Sequence, residues 1–197
     1  LDQIFEKVVT SFIANEIGIA SDFLGQELAS KLRANLLELY EADALKEAAI
    51  GNLAKKTRDP STRGDQIYWL DRKHDSPEEH LFFDLIDDFV AYLNRTCFTA
   101  ITGYEFHYAL YEPGTFYKRH IDQFRDDPAR TFSVVMYLND AWDEGHGGEL
   151  CIHRPEGTQL IAPTMGKCVF FRSSQIEHEV LLSHKRRLSV TGWLKTG

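Results

Sequence analysis

Along this chain the spacing of apolar residues changes from a helical to a strand rhythm near residue 98. Residues 2–17 mix apolar and charged side chains at helical spacing and read as a first helix. Ser21 or Asp22 is suited to cap a second helix, whose apolar stripe is Leu24, Leu28, Leu32, Leu36 and Leu39. Residues 43–50 read as a further helical turn or two, ending near Gly51. A polar, proline-containing loop over 55–61 leads to a strand over 66–70. Ser76-Pro77-Glu78-Glu79 then opens a third helix, with Ser76 as N-cap, Pro77 in the first position and Glu79 closing a capping box. Its stripe, Leu81, Phe82, Leu85, Ile86, Phe89, Val90 and Leu93, places it along the outside of the strand-rich half of the chain.

Beyond residue 98 the chain reads as strands and turns. Residues 104–111, 131–138, 168–172 and 187–193 read as strands, and in 131–138 and 187–193 the period-two alternation divides polar from apolar. In 131–138 one row is Phe132, Val134, Met136 and Leu138, and the other is Thr131, Ser133, Val135 and Tyr137. In the last strand Leu188, Val190 and Leu194 take one face, and Arg187, Ser189, Thr191 and Trp193 the other. A guanidinium, two hydroxyls and an indole are an odd lining for a plain core. They suit a carboxylate, which the planar fork of Arg187 can grip with two hydrogen bonds and to which Tyr137 can present its hydroxyl.

Between these strands lies His120-Ile121-Asp122. In a strand, residues two apart share a face, so both side chains can aim at one point as metal ligands. His178, in Glu177-His178-Glu179, is the candidate third ligand. Two His and one carboxylate on one face of an octahedron suit Fe(II) with open positions. A lone His-x-Asp is weak among eight His and 30 acidic residues, and it gains weight only from Arg187 nine residues beyond His178. His107 reads as a structural His with satisfied nitrogens, and His146 and His153 as surface residues. Asp126-Asp127-Pro128 reads as a polar loop at the pocket rim, and 143–148 as a tight Gly-rich hairpin that lacks the Lys and helix of a phosphate cradle.

Composition narrows the classes. The 197 residues are 43% hydrophobic and 26% charged, ordinary for one soluble domain. A net charge of −8 argues against a general nucleic-acid binder. No apolar run has the length of a membrane span and no secretory leader is visible. Three scattered cysteines, Cys97, Cys151 and Cys168, suit reduced thiols in a cytoplasmic protein rather than a disulfide framework or a zinc site.

Ordered motifs over residues 63–194 carry a family resemblance. They are Arg63-Gly64-Asp65-x-Ile67-x-Trp69, Tyr111-x-Pro113-Gly114, Tyr117-x-Arg119-His120-x-Asp122 and Tyr137-Leu138-Asn139-x-x-Trp142-Asp143. Gly147-Gly148-x-Leu150, Pro155-Glu156-Gly157, Phe170-Phe171, His178-Glu179-Val180 and Arg187…Thr191-x-Trp193 come after them in order. With these the chain resembles the Fe(II)/2-oxoglutarate-dependent oxygenases of the prolyl 4-hydroxylase superfamily, in particular the hypoxia-sensing (egg-laying-defective-nine, SM-20-type) prolyl hydroxylases and their bacterial relatives.

The resemblance implies an α+β fold, a double-stranded β-helix (jelly-roll) barrel with N-terminal helices packed on one sheet. A single domain over 1–197 would have helical support about 1–95 and a catalytic core about 98–194. His120, Asp122 and His178 would hold Fe(II), and 2-oxoglutarate would lie against Arg187, Tyr137, Thr191, Tyr111, Leu150 and Trp193, with ascorbate as an accessory reductant. Arg63 and Asp65 would shape a loop that grips substrate. The implied reaction uses O2, releases succinate and carbon dioxide, and hydroxylates a prolyl residue at C4 in a protein such as elongation factor Tu, without nucleic acid or membrane. Two alternatives stay open: the same chemistry on a small molecule or another side chain, and a non-catalytic barrel that binds metal or a partner.

Overall fold

The computed structural model describes residues 1–48, 61–123 and 129–197. Two antiparallel sheets face each other in a double-stranded β-helix, and three helices cover the outer face of the larger one. In chain order the elements are α1 (Asp2–Asn15), β1 (Ile17–Ala20), α2 (Gly25–Glu41), β2 (Lys46–Glu47), β3 (Asp65–Trp69), α3 (Pro77–Cys97) and β4 (Gly103–Tyr111). Next come β5 (Tyr117–His120), β6 (Arg130–Tyr137), β7 (Leu150–Arg154), β8 (Gly157–Ile161), β9 (Cys168–Arg172), β10 (Glu177–Val180) and β11 (Arg187–Lys195). The larger sheet runs β1-β9-β6-β11-β4-β3-β2 and the smaller β5-β10-β7-β8.

The two faces expected for β6 and β11 are the two faces observed. Phe132, Val134, Met136, Leu138, Leu188, Val190 and Leu194 join one core with Phe5, Leu32, Leu36, Phe82, Ile86 and Phe89 of the helices. Val135 and Tyr137 turn the other way, into a second core with Leu150, Ile152, Ile161, Val169 and Phe171 between the sheets. The amphipathic alternation therefore does two jobs at once. It fixes the helical layer on one side and leaves the polar row of β11 facing the gap between sheets.

Several local expectations are corrected. The first helix stops at Asn15 because Glu16 turns left-handed (φ 59°), and Ile17–Ala20 becomes an edge strand paired with β9. No side chain caps α2, whose N-cap is Leu24; buried Phe23 and Leu24 set the chain's entry instead of Ser21 or Asp22. Lys46 and Glu47 pair with Ile67 and Gln66 as β2 rather than forming a helical turn, since the edge of β3 offers them a ladder. Three strands from the first 95 residues thus extend the larger sheet. Ser76 does accept from the Glu79 N–H (3.3 Å), but Glu79 closes no capping box. Its buried carboxylate accepts from the Asp71 N–H (3.1 Å) and His74 Nδ1 (2.9 Å), because a carboxylate out of water must find donors. Leu81 of the expected stripe is 47% exposed. The 55–60 part of the polar loop, residues 49 and 50, and the rim segment 126–128 lie outside the described residues.

One buried side chain sets where the last strand begins. The Asn139 amide donates to the carbonyls of Pro163 (2.7 Å) and Leu188 (3.0 Å), and its Oδ1 accepts from the Leu188 N–H (2.7 Å). The residue before Leu188 is Arg187, so Asn139 anchors the backbone that aims the guanidinium. Asn139→Ala strands the Pro163 carbonyl and the Leu188 N–H, the Leu188 carbonyl still accepting from the Leu138 N–H (3.1 Å), and is expected to destabilise the fold by about 1–3 kcal/mol. A lower urea midpoint with an unchanged slope is the result that checks it.

Candidate active site

The candidate metal ligands meet where the smaller sheet pairs β5 with β10. His120 and His178 stand directly opposite each other in that ladder, with ring centroids 4.3 Å apart. Asp122 lies just past the end of β5, in a bend rather than on the strand, and still turns its carboxylate to the same point. Its Oδ1 is 3.3 Å from His120 Nε2 and 3.7 Å from His178 Nε2. All three donor atoms lie within 4.8 Å of one another.

Each ligand is oriented from behind. His120 Nδ1 lies 2.7 Å from the Lys118 carbonyl, and His178 Nδ1 lies 3.1 Å from the Ile176 carbonyl. A carbonyl only accepts, so both Nδ1 atoms carry the proton and both Nε2 lone pairs point at the shared space. Tyr117 stacks on the His120 ring at 3.7 Å and 16°, and Phe171 meets the His178 ring edge-on at 4.9 Å. Ser133 Oγ donates to Asp122 Oδ2 (2.7 Å) and in turn accepts from Ser173 Oγ (2.9 Å). That leaves Oδ1 for a metal. Burial alone would raise the Asp122 pKa, but His178, His120 and the Ser133 hydroxyl together hold it far below the usual carboxylate range. Burial depresses His178 against the pull of Asp122, which favours the neutral ring a metal needs.

The second half of the site lies at the other end of β6. Ser133 and Tyr137 share the inward row, and four residues of strand separate them by roughly 13 Å. Tyr137 sits beside Arg187, which is 1% exposed. The guanidinium lies 5.1 Å from the Tyr137 ring centroid and 5.0 Å from that of Tyr111. Its Nε donates to the Gly148 carbonyl (2.7 Å). Gly148 must be glycine here: its φ is +67°, and a Cβ would come 3.1 Å from Arg187 Cδ and 2.9 Å from Ser183 Oγ. Among the described residues no carboxylate pairs with Arg187, and the buried Tyr137 hydroxyl beside it finds no acceptor for its proton. Burial pushes the Tyr137 pKa up to about 12, so near neutral pH it is a donor. A buried cation and a buried hydroxyl facing one gap without an acceptor fit a ligand carboxylate.

The other expected residues are placed around this axis. Leu150 is buried between the sheets in the same core as Tyr137. Thr191 pairs with Val135, midway between Ser133 and Tyr137, and its hydroxyl is 3.4 Å from Ser189 Oγ. Trp193 pairs with Ser133 at the metal end, not the Arg187 end, and carries the Arg130 guanidinium 3.6 Å over its ring. Arg63 grips Asp65 through two hydrogen bonds (2.6 and 2.8 Å) and lies 4.6 Å over Tyr117. Asp65 pairs with Tyr111 in the β3–β4 ladder. The Arg63–Asp65 pair therefore backs the ring that backs His120.

Sequence reasoning missed the parts that support these residues. Ser133 stood in the polar row, but nothing in its neighbours marked it as the partner of Asp122. His107 is not the satisfied histidine expected: it is 2% exposed, has no hydrogen-bond partner among the described residues, and lies between Trp69 (4.9 Å) and Trp193 (5.5 Å). Burial, with Arg63 nearby, depresses its pKa to about 3, so it is a neutral ring in an aromatic wall. His146 and His153 are partly buried rather than free surface residues: His146 Nδ1 accepts from the Asp143 N–H (2.9 Å), and His153 Nε2 lies 2.9 Å from Glu179 Oε1.

Known proteins resemble this chain in sequence and fold. Residues 106–195 match the 2OG-Fe(II) oxygenase superfamily. Human (Homo sapiens) prolyl hydroxylase EGLN3 is 30% identical over 206 residues, covering 95% of this chain and 84% of that protein. A Pseudomonas putida prolyl-4-hydroxylase superposes with a TM-score of 0.88 at 31% identity, over 98% of this chain and all of that one (100%). A Trichoplax adhaerens prolyl hydroxylase, solved with a hypoxia inducible factor oxygen degradation domain peptide, gives 0.87 at 26% identity over 98% and 90%.

Loss of the Ser133 hydroxyl frees Asp122 to rotate without removing a ligand. Ser133→Ala is expected to weaken divalent-metal binding about 10–100-fold, measured by anaerobic titration with Fe(II), with circular dichroism confirming that the variant is folded.

Proposed function

Because the chain belongs to the 2OG-Fe(II) oxygenase superfamily, among its prolyl hydroxylases, we propose that it hydroxylates a prolyl residue at C4 in a protein substrate. We propose elongation factor Tu as that substrate, 2-oxoglutarate as co-substrate, succinate and carbon dioxide as co-products, and ascorbate as accessory reductant. The whole of 1–197 serves as one catalytic domain in this reading. The observation that carries it is that a buried Arg187 with no carboxylate partner among the described residues, and a Tyr137 hydroxyl beside it with no acceptor among them, stand at one end of β6 with the His120–Asp122–His178 cluster at the other.

When bound, Fe(II) with 2-oxoglutarate as electron donor would activate O2, one oxygen going to the substrate carbon and the other to succinate. The chain's own residues do the rest. His120 Nε2, His178 Nε2 and Asp122 Oδ1 would hold the metal and, being three ligands, would leave it able to take co-substrate and O2. Arg187 would receive the far carboxylate, with the Tyr137 hydroxyl as a second donor and Tyr111 beside it. Leu150, buried between the sheets, would pack on the co-substrate's methylenes and keep water out. Thr191 stands midway along the same path. Trp193, His107 and the partly exposed Trp69 form an aromatic wall at the metal end, suited to the flat ring of proline. Arg63 and Asp65 fix the segment beside that wall, where a protein chain would lie.

The test is turnover with Fe(II), 2-oxoglutarate, ascorbate and purified elongation factor Tu, following succinate and the mass of tryptic peptides. One added oxygen on a proline with matching succinate is the expected result. Succinate without a modified peptide would overturn this substrate and point to a small molecule or another side chain; silence in both would point to a binding protein.

Arg187→Ala tests the carboxylate end separately. It is expected to weaken 2-oxoglutarate by about 2–5 kcal/mol while Fe(II) affinity is kept. A co-substrate KM unchanged from the parent would remove Arg187 from the site.

A further inference from the structure

β10 has a second face. His178 points into the gap between sheets, so Glu177 and Glu179 point out of it. On β7 alongside, Ile152 and Leu150 are buried in the core between sheets, so Cys151 and His153 also point out. The register sets Cys151 opposite Glu179 and His153 opposite Glu177. As a result Cys151 Sγ, a ring nitrogen of His153 and a carboxylate oxygen of Glu179 lie within 4.8 Å of one another. His153 Nε2 and Glu179 Oε1 are already 2.9 Å apart. Cys151 is a free thiol, 4% exposed and part of no disulfide.

We propose that Cys151, His153 and Glu179 form a second divalent-cation site, selective for Zn2+, on the outer face of the smaller sheet behind His178. Thiolate, imidazole and carboxylate with one water complete a tetrahedral zinc shell. Ordinary zinc bond lengths place such donors about 3.3–3.6 Å apart, so the three side chains need only small rotations to close on an ion.

The donor sets of the two faces differ in kind. The inward cluster has two imidazoles and one carboxylate, hard and borderline donors that suit iron. The outward cluster replaces one imidazole with a thiol sulfur, which favours zinc over Fe(II). It also carries two anionic ligands once the thiol is ionised, so Zn2+ is neutralised in place. Coordination exchanges the S–H bond for an S–Zn bond, and the proton leaves to water. Arg119, on the neighbouring strand β5, is paired with Glu177 and does not occupy the Glu179 carboxylate.

The probe is Co(II), which reports a thiolate ligand through a sulfur-to-cobalt charge-transfer band and is displaced by Zn2+. The protein is the full chain carrying His120→Ala and Asp122→Ala, so the inward cluster no longer competes. The test is therefore independent of the oxygenase reading. The expected result is one equivalent of Co(II) with the charge-transfer band, displaced by one equivalent of Zn2+. Cys151→Ser should abolish the band, and Glu179→Gln, which keeps shape and removes charge, should weaken binding at least about 10-fold. Far-ultraviolet circular dichroism confirms that each variant is folded, and Glu179→Gln alone decides the matter if Cys151→Ser is not. No band at one equivalent overturns the proposal. So does a band that survives Cys151→Ser, which would come from Cys97 or Cys168, or an affinity unchanged by Glu179→Gln.

Discussion

Arg187 is a charge taken out of water with no opposite charge beside it among the described residues. In a low-dielectric gap that is costly, and the surroundings are built around the cost. The Gly148 carbonyl takes the Nε proton, and the faces of Tyr111 and Tyr137 lie against the guanidinium. Gly148 itself adopts a left-handed backbone, and the Asn139 side chain holds the next residue of β11 in register. None of these groups supplies a negative charge. The fold thus keeps a partly compensated cation at a fixed place, and that place is one strand-length from two imidazoles and a carboxylate. The balance of charge is complementary: three metal donors with a single negative charge leave a bound divalent ion net positive, and the cation at the far end adds to it. A dianion that bridges the two ends answers both.

The strand alternation that makes this possible is legible in the sequence. The polar and apolar rows of β6 and β11 can be written down from period two alone, because each strand lies between an apolar helical layer and a gap lined with functional groups. The third helix is legible from Ser76-Pro77, since its cap is local chemistry. The features that stay hidden are set by partners distant in sequence. Ile17–Ala20 is a strand because β9 lies beside it, and Lys46–Glu47 because β3 does. Glu79 looks like a capping-box residue by spacing, but burial sends its carboxylate to Asp71 and His74 instead. The same limit applies at the site. His120, Asp122 and His178 carry their chemistry in their identities. The groups that aim them, Ser133, Ser173, Tyr117 and two backbone carbonyls, are ordinary residues whose role exists only in three dimensions.

The smaller sheet is the thinner wall of the molecule. Its inward side chains hold the metal cluster, and among the described residues no helix covers the other side. Polar groups on that outer side must therefore pair among themselves or with solvent, and they do: Arg119 with Glu177, and His153 with Glu179. A salt link on a sheet surface would need no cysteine. The presence of Cys151 within reach of the His153–Glu179 pair turns a surface ion pair into a set of donors with mixed softness. Because His178 is flanked in sequence by Glu177 and Glu179, anything that ties Glu179 to β7 also restrains the backbone on which His178 is carried. The two faces of β10 are mechanically one object: a cation on the outer face would stiffen the β7–β10 ladder without touching the inner ligands, and would act on the orientation of His178 rather than on its chemistry.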